Sequence, residues 1–195
     1  MLRIATVELE AVTPFMPGRF MGEPDDKVSA AEHDKLNWRQ RMWDDGKGNL
    51  VINPDSFKLA LSEASKLTPR KGPGGGNSTW TKNFDAGVMI TKLVVPTKKD
   101  GKTIKVNDVE CKELMLPSDG KQGGSTRVLK HIPHIPDWKA TIDFEVRDDQ
   151  ITEDIFKAYL KESGEMIGIG THRPRHRGWH GTFKVNKIIW TKKGE

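Results

Sequence analysis

The residues best suited to chemistry lie near the C-terminus, in Gly168-Ile169-Gly170-Thr171-His172-Arg173-Pro174-Arg175-His176-Arg177-Gly178-Trp179-His180-Gly181-Thr182-Phe183. Glycines 168, 170, 178 and 181 bracket three arginines, three histidines and a tryptophan, and no acid falls among them. Such a loop can bring backbone N–H groups, guanidinium forks and an indole face close to one polyanion. Read this way, Arg173, Arg175 and Arg177 grip phosphates, Trp179 stacks on a base, and His172, His176 and His180 add hydrogen bonds. The bland alternative is a glycine-rich turn whose arginines are simply solvated. The histidines recur every fourth residue, which on a helix would place them on one metal-binding face. Pro174 and Gly178 break any such helix, and zinc needs a fixed near-tetrahedral ligand set, so no metal and no cofactor is expected.

A second basic element runs from Lys66 to Lys82, where Arg70, Lys71, Trp80 and Lys82 flank Gly72-Pro73-Gly74-Gly75-Gly76. It resembles a phosphate-binding loop but lacks the Gly-Lys-Ser/Thr ending and does not pass from strand to helix, which argues against nucleotide hydrolysis. It either grips a strand on binding or is a flexible surface loop. A third element, Ser118 to Lys130, offers Lys121, Gln122, Ser125, Arg127 and Lys130 to a backbone; a structural hairpin would use the same turn residues. In a fourth, Arg39 and Arg41 alternate with aromatics in Asn37-Trp38-Arg39-Gln40-Arg41-Met42-Trp43. Base stacking, a subunit contact and core packing all use these residue types.

The chain has 195 residues, a formal charge of +5 and 35% hydrophobic residues, which fits one domain able to bury its own core. The charge is segregated: Arg173, Arg175, Arg177, Lys184, Lys187, Lys192 and Lys193 follow Met166 without an acid, while acids gather at Glu23 to Asp26 and Asp148 to Asp154. Segregated positive charge suits a polyanionic partner. Cys111 is the only cysteine, so a disulfide framework is excluded and a reducing cytosol fits. The start lacks the apolar core of a signal peptide and no run reaches membrane-spanning length. A cytoplasmic protein with no membrane partner is expected.

The elements that must position these residues follow from periodicity. Arg3 to Val12 and Trp138 to Arg147 alternate as strands, Phe84 to Val95 has β character, and Thr182 to Trp190 forms a last strand. Asn53 to Leu67 is a helix, with Asn as cap and Pro54 in its first position. Thr152 to Glu162 is another, stopped by Gly164; Val28 to Trp43 reads as a weaker one. Thr13 to Asp26 is a Pro/Gly loop. Thr97 to Pro136 reads as an insertion with short strands near Thr103 to Val106 and Glu113 to Leu116. The expectation is an α+β fold: one domain over residues 1–195 with a ferredoxin-like (RRM-like) βαββαβ core and insertions at about 13–52 and 97–136. Two helices should cover one sheet face and leave the other free for a ligand or the insertions. In the RNA-recognition fold that free face binds single strands.

The βαββαβ order, with Gly168-Ile169-Gly170 and Gly178-Trp179-His180-Gly181-Thr182-Phe183 ahead of the last strand, resembles the RAMP superfamily of CRISPR-associated proteins. The insertion at Thr97 to Pro136 is similar to the thumb, here a thumb-like β-hairpin, of its backbone-forming subunits. The chain also looks like stand-alone relatives found in phages and prophages. The resemblance implies binding of single-stranded RNA or DNA through its backbone, RNA slightly preferred, with head-to-tail self-association into a filament or ring and CRISPR effector subunits as further partners. It also implies two alternatives. One is a metal-free endoribonuclease with a histidine base; His33, His131, His134 and the loop histidines are candidates, and spacing selects none. The other is a phage-encoded mimic of an effector subunit. Binding without catalysis is the expectation.

Overall fold

The computed structural model describes residues 2–25, 27–68, 70–74, 76, 78–117 and 126–192. In chain order the elements are β1 (Arg3–Ala11), α1 (Ala30–Asn37), β2 (Trp43–Asp44), β3 (Leu50–Val51), α2 (Pro54–Leu67), α3 (Thr81–Gly87), β4 (Val88–Met89), β5 (Glu110–Pro117), β6 (Arg127–His134), β7 (Lys139–Val146), α4 (Glu153–Glu162) and β8 (Phe183–Lys192). The fold is α+β with antiparallel sheets. Among the described residues no helix is long and apolar enough to cross a membrane.

Four strands form the main sheet in the order β4-β7-β1-β8, with every neighbour antiparallel. Alternation decides its faces. Ala5, Val7 and Leu9 of β1 and Ala140, Ile142, Phe144 and Val146 of β7 are buried beneath the helices. The caps set the two long helices. Asn53 Oδ1 accepts the Asp55 N–H at 3.0 Å ahead of Pro54, and the Thr152 hydroxyl accepts the Ile155 N–H at 3.3 Å. Phe57, Ala60, Leu61 and Ala64 of α2 and Phe156, Tyr159 and Leu160 of α4 are buried in the same core. Phe57 meets Trp138 and Phe183 edge-on at 6.5 and 5.7 Å. Burying each such large side chain stabilises the fold by roughly 1.5–3 kcal/mol.

The other sheet face is open, but it is acidic along its centre. Glu8 and Glu10 of β1 lie opposite Thr141 and Lys139 of β7, Asp143 and Glu145 of β7 lie opposite Thr6 and Ile4, and no aromatic residue is among them. Asp143 accepts from Thr6 at 2.7 Å and Lys92 at 2.6 Å, and Glu10 accepts from Asn186 at 3.0 Å. A single strand laid here would meet carboxylates and find no stacking platform.

Several elements depart from periodicity. Phe84 belongs to α3 rather than a strand, because its ring packs edge-on against Tyr159 at 5.1 Å and turns the segment helical; only Val88 and Met89 pair with β7. Gly164 does not stop the helix. The chain continues through a π-helical turn at Ser163–Ile167 and ends at Gly168. The insertion holds a longer hairpin than expected, β5 against β6 in register from Glu110↔His134 to Pro117↔Arg127, while Val106–Asp108 is a 3₁₀ turn. Val28 to Trp43 resolves into α1, a 3₁₀ turn at Trp38–Arg41 and β2.

Candidate nucleic-acid interface

The segment after β1 stitches the glycine-rich loop to the hairpin. Phe15 and Ile135 exchange backbone hydrogen bonds at 2.8 and 3.0 Å, the Thr171 N–H donates to Met16 O at 2.8 Å, and the Gly181 N–H donates to Pro14 O at 2.7 Å. Two glycines make this possible. Gly181 has φ +74°, and a Cβ there would run into the Ile169 carbonyl; at Gly178 a Cβ would meet the His172 carbonyl. The result is a cleft of about 1120 Å³ between this loop, the hairpin, the start of α2 and the 3₁₀ turn.

Arg19, Arg41, Arg127, Lys130, Arg173 and Arg177 line the cleft with His172 and His176, and none of the described lining residues is acidic. Phe20 and Trp43 also line it, 75% and 42% exposed, so each offers a ring face. The Arg19 guanidinium stacks over Trp43 at 4.1 Å. Arg19 and Phe20 were not legible as site residues. An exposed aromatic beside an arginine in a Pro/Gly loop, Gly18-Arg19-Phe20, is the signal that could have found them.

The basic residues singled out from sequence divide sharply. Arg177 is exposed, with no ion pair among the described residues, and among the same residues Arg127 reaches only the Met115 carbonyl, at 3.4 Å. Arg173 is committed inside the protein: it donates to Glu63 at 3.0 Å and Gly168 O at 3.2 Å, with its side chain 13% exposed. Arg175 leans on the same Glu63 at 3.6 Å. Arg173 therefore ties the loop to α2 before it can serve a ligand. Arg173→Ala should cost about 2 kcal/mol of stability, the worth of charge-assisted hydrogen bonds, whereas Arg177→Ala should leave the thermal unfolding midpoint unchanged; parallel melts by circular dichroism check both.

The second basic element lies away from the cleft. Arg70 forms a bidentate pair with Glu162 and sits 4.7 Å over the Tyr159 ring. Glu162 first, then Tyr159, raise its already high pKa despite burial. Trp80 is 7% exposed and donates to Lys71 O at 3.1 Å, so it is core and not a stacking surface. Lys71 and Lys82 are exposed but do not line the cleft. Lys121 lies outside the described residues. Arg39 is exposed over the buried Trp38 ring at 4.3 Å, and Arg41 pairs with Asp34.

The histidines form a core of their own. His180 is fully buried, with its Nδ1 3.0 Å from Nδ1 of His172 and its ring 6.3 Å from that of His134 on β6. Burial, and secondarily the charges of His172, Lys112 and His134, push His180 down to about 4. Burial also lowers His172 and His134. These side chains hold the loop against the hairpin as neutral rings. Trp179 stacks on His180 at 4.1 Å, 53% exposed, beneath Lys112 and beside rather than in the cleft. Among the described residues no group of three or more ligating side chains is placed to hold a metal ion.

No protein-family model matches the sequence, and no curated protein matches it. Solved structures do. One is a chain from "Cryo-EM structure of the Type III-B Cmr-beta bound to cognate target RNA", 13% identical with a TM-score of 0.50, covering 99% of this chain and 62% of that one. Another is Cmr6 from Pyrococcus furiosus, 11% identical with a TM-score of 0.48, covering 95% of this chain and 99% of that one. The chain therefore spans under two thirds of the length of the Cmr-beta chain it resembles. The α+β architecture and this likeness to a type III-B CRISPR assembly together give the chain a RAMP-like fold.

Proposed function

We propose that the protein binds single-stranded nucleic acid along the basic cleft, RNA in preference to DNA, and does so as a binding protein rather than an enzyme. One observation carries the proposal: basic side chains from the loop after β1, the 3₁₀ turn, β6 and the loop before β8 converge on one cleft with no described acid lining it. The adjoining Phe20 and Trp43 rings supply sequence-tolerant stacking. The strand order β4-β7-β1-β8, with α2 between β1 and β4 along the chain and α4 between β7 and β8, supports reading the core as βαββαβ and ferredoxin-like.

The RNA preference, assembly along the strand and association with effector subunits rest on the likeness to a chain whose assembly is described as bound to cognate target RNA. Cleavage is left out because a histidine base needs a positioned partner. Of the histidines lining the cleft, His172 is held by His180, and His176 contacts Arg173 at 3.3 Å; neither is hydrogen-bonded to a carboxylate, and His131, which meets the Asp34 and Glu113 carboxylates at 3.3 and 3.2 Å, is buried and does not line the cleft.

Fluorescence anisotropy with labelled single-stranded RNA, single-stranded DNA and duplex DNA of one sequence, over a salt series, tests this. Single strands should bind tighter than duplex and RNA tighter than DNA, with log affinity falling linearly in log salt. No binding at low salt, or a preference for duplex, would sink the proposal.

A further inference from the structure

We propose that Asp34, buried behind the cleft, is the positioning residue that presents Arg41 as a phosphate contact; this rests on reading the cleft as a nucleic-acid site. Asp34 is 2% exposed on α1. Its Oδ1 accepts from the Arg41 guanidinium, and its Oδ2 accepts the His131 N–H at 2.6 Å and lies 3.3 Å from His131 Nδ1. One carboxylate thus holds two walls of the cleft, the 3₁₀ turn and β6. His131 sits between Lys130 and Ile132, which both line the cleft.

Arg41 is not spent by this pair. Its side chain is 18% exposed and lines the cleft, and its Nε is buried with no hydrogen-bond partner among the described residues. The part of the guanidinium that faces the cleft, beyond the donor given to Asp34, is what a phosphate oxygen would meet in a charge-assisted hydrogen bond. Fixing the long side chain through Asp34 also means that its rotamer freedom is lost on folding rather than on binding. The Arg41 carbonyl in turn accepts the Arg19 N–H at 3.1 Å, so the same turn carries the Arg19–Trp43 stack.

A purely structural Asp34 would only staple the hairpin to α1. A double-mutant cycle separates the roles. The probe is a fluorescein-labelled oligouridylate, read by anisotropy, with thermal melts alongside. Asp34→Asn and Arg41→Ala should each weaken binding about tenfold. The double variant should bind no worse than Arg41→Ala. Combining Asp34→Asn with Arg127→Ala should be additive, at about a hundredfold.

Asp34→Asn binding like wild type or tighter, or a second full loss on the Arg41→Ala background, would overturn the inference while leaving the cleft intact. Wild type failing to bind the probe at low salt would overturn the cleft reading and this inference with it. If Asp34→Asn does not stay folded, Arg41→Lys decides: it keeps the charge but loses the fork, so it should bind as weakly as Arg41→Ala, and wild-type affinity would overturn the positioning role.

Discussion

Arg19→Ala/Arg127→Ala/Arg177→Ala should bind a single strand about a thousandfold more weakly than wild type while unfolding at the wild-type temperature, at roughly tenfold per charge-assisted contact. The three arginines come from the loop after β1, the hairpin and the loop before β8, so they share no element and their losses should add. None is ion-paired among the described residues, and removing them leaves no buried charge without a partner. Arg19 loses only its stack over Trp43, and Arg127 a long contact to a carbonyl.

The salt dependence gives a second reading of the same variant. Each phosphate contact on a single strand contributes about 0.7 to the slope of log affinity against log salt, so three lost contacts should make it shallower by about 2. An affinity loss without a change in slope would point to a damaged fold. Unchanged affinity would move the site off the cleft, to the Trp179 and Lys112 surface. The comparable triple at Arg173, Arg175 and Arg177 is the poorer test, because two of its members hold Glu63 and their loss mixes binding with stability.

The main elements were legible in the sequence because their periodicity is strong and their caps are local. Asn53-Pro54 and Thr152 mark helix starts by chemistry within three residues of themselves. Phe84 was misread because a tertiary contact with Tyr159 decided its state. The site was legible in part for a related reason. Charge and glycine mark the loop at residues 168–181, but which arginine is free depends on Glu63, more than a hundred residues earlier. Arg70 and Trp80 look like a binding pair in sequence, yet Glu162 and the core claim them. Asp34 gave no signal at all, since its partners Arg41 and His131 are brought to it only by the packing of α1 on β6.

Thermal stability should fall as pH is lowered from about 6.5 to about 4, and His180→Asn should flatten that slope. The unfolded chain would protonate His180 near its ordinary value of 6.5, whereas burial and the neighbouring His172, Lys112 and His134 hold the folded value near 4. Between those values the unfolded state binds the extra proton, so stability rises with pH there and is lost as pH drops. Full loss would amount to about 3 kcal/mol from this one side chain. His172 and His134 are lowered as well and add in the same direction. Asp34 belongs to a different window: burial would raise its carboxyl, but the His131 N–H and Arg41 outweigh burial and hold it below 3.8, so its contribution survives until the pH is lower still. The histidine core joins the glycine-rich loop to β6, so its protonation should open the loop locally and take Arg177 out of the cleft. Amide exchange at residues 168–183 should therefore accelerate before the rest of the chain does, with binding weakening alongside it. If the histidines merely titrated in place, the added positive charge would strengthen binding on acidification, and that opposite sign would show that they do not hold the cleft together.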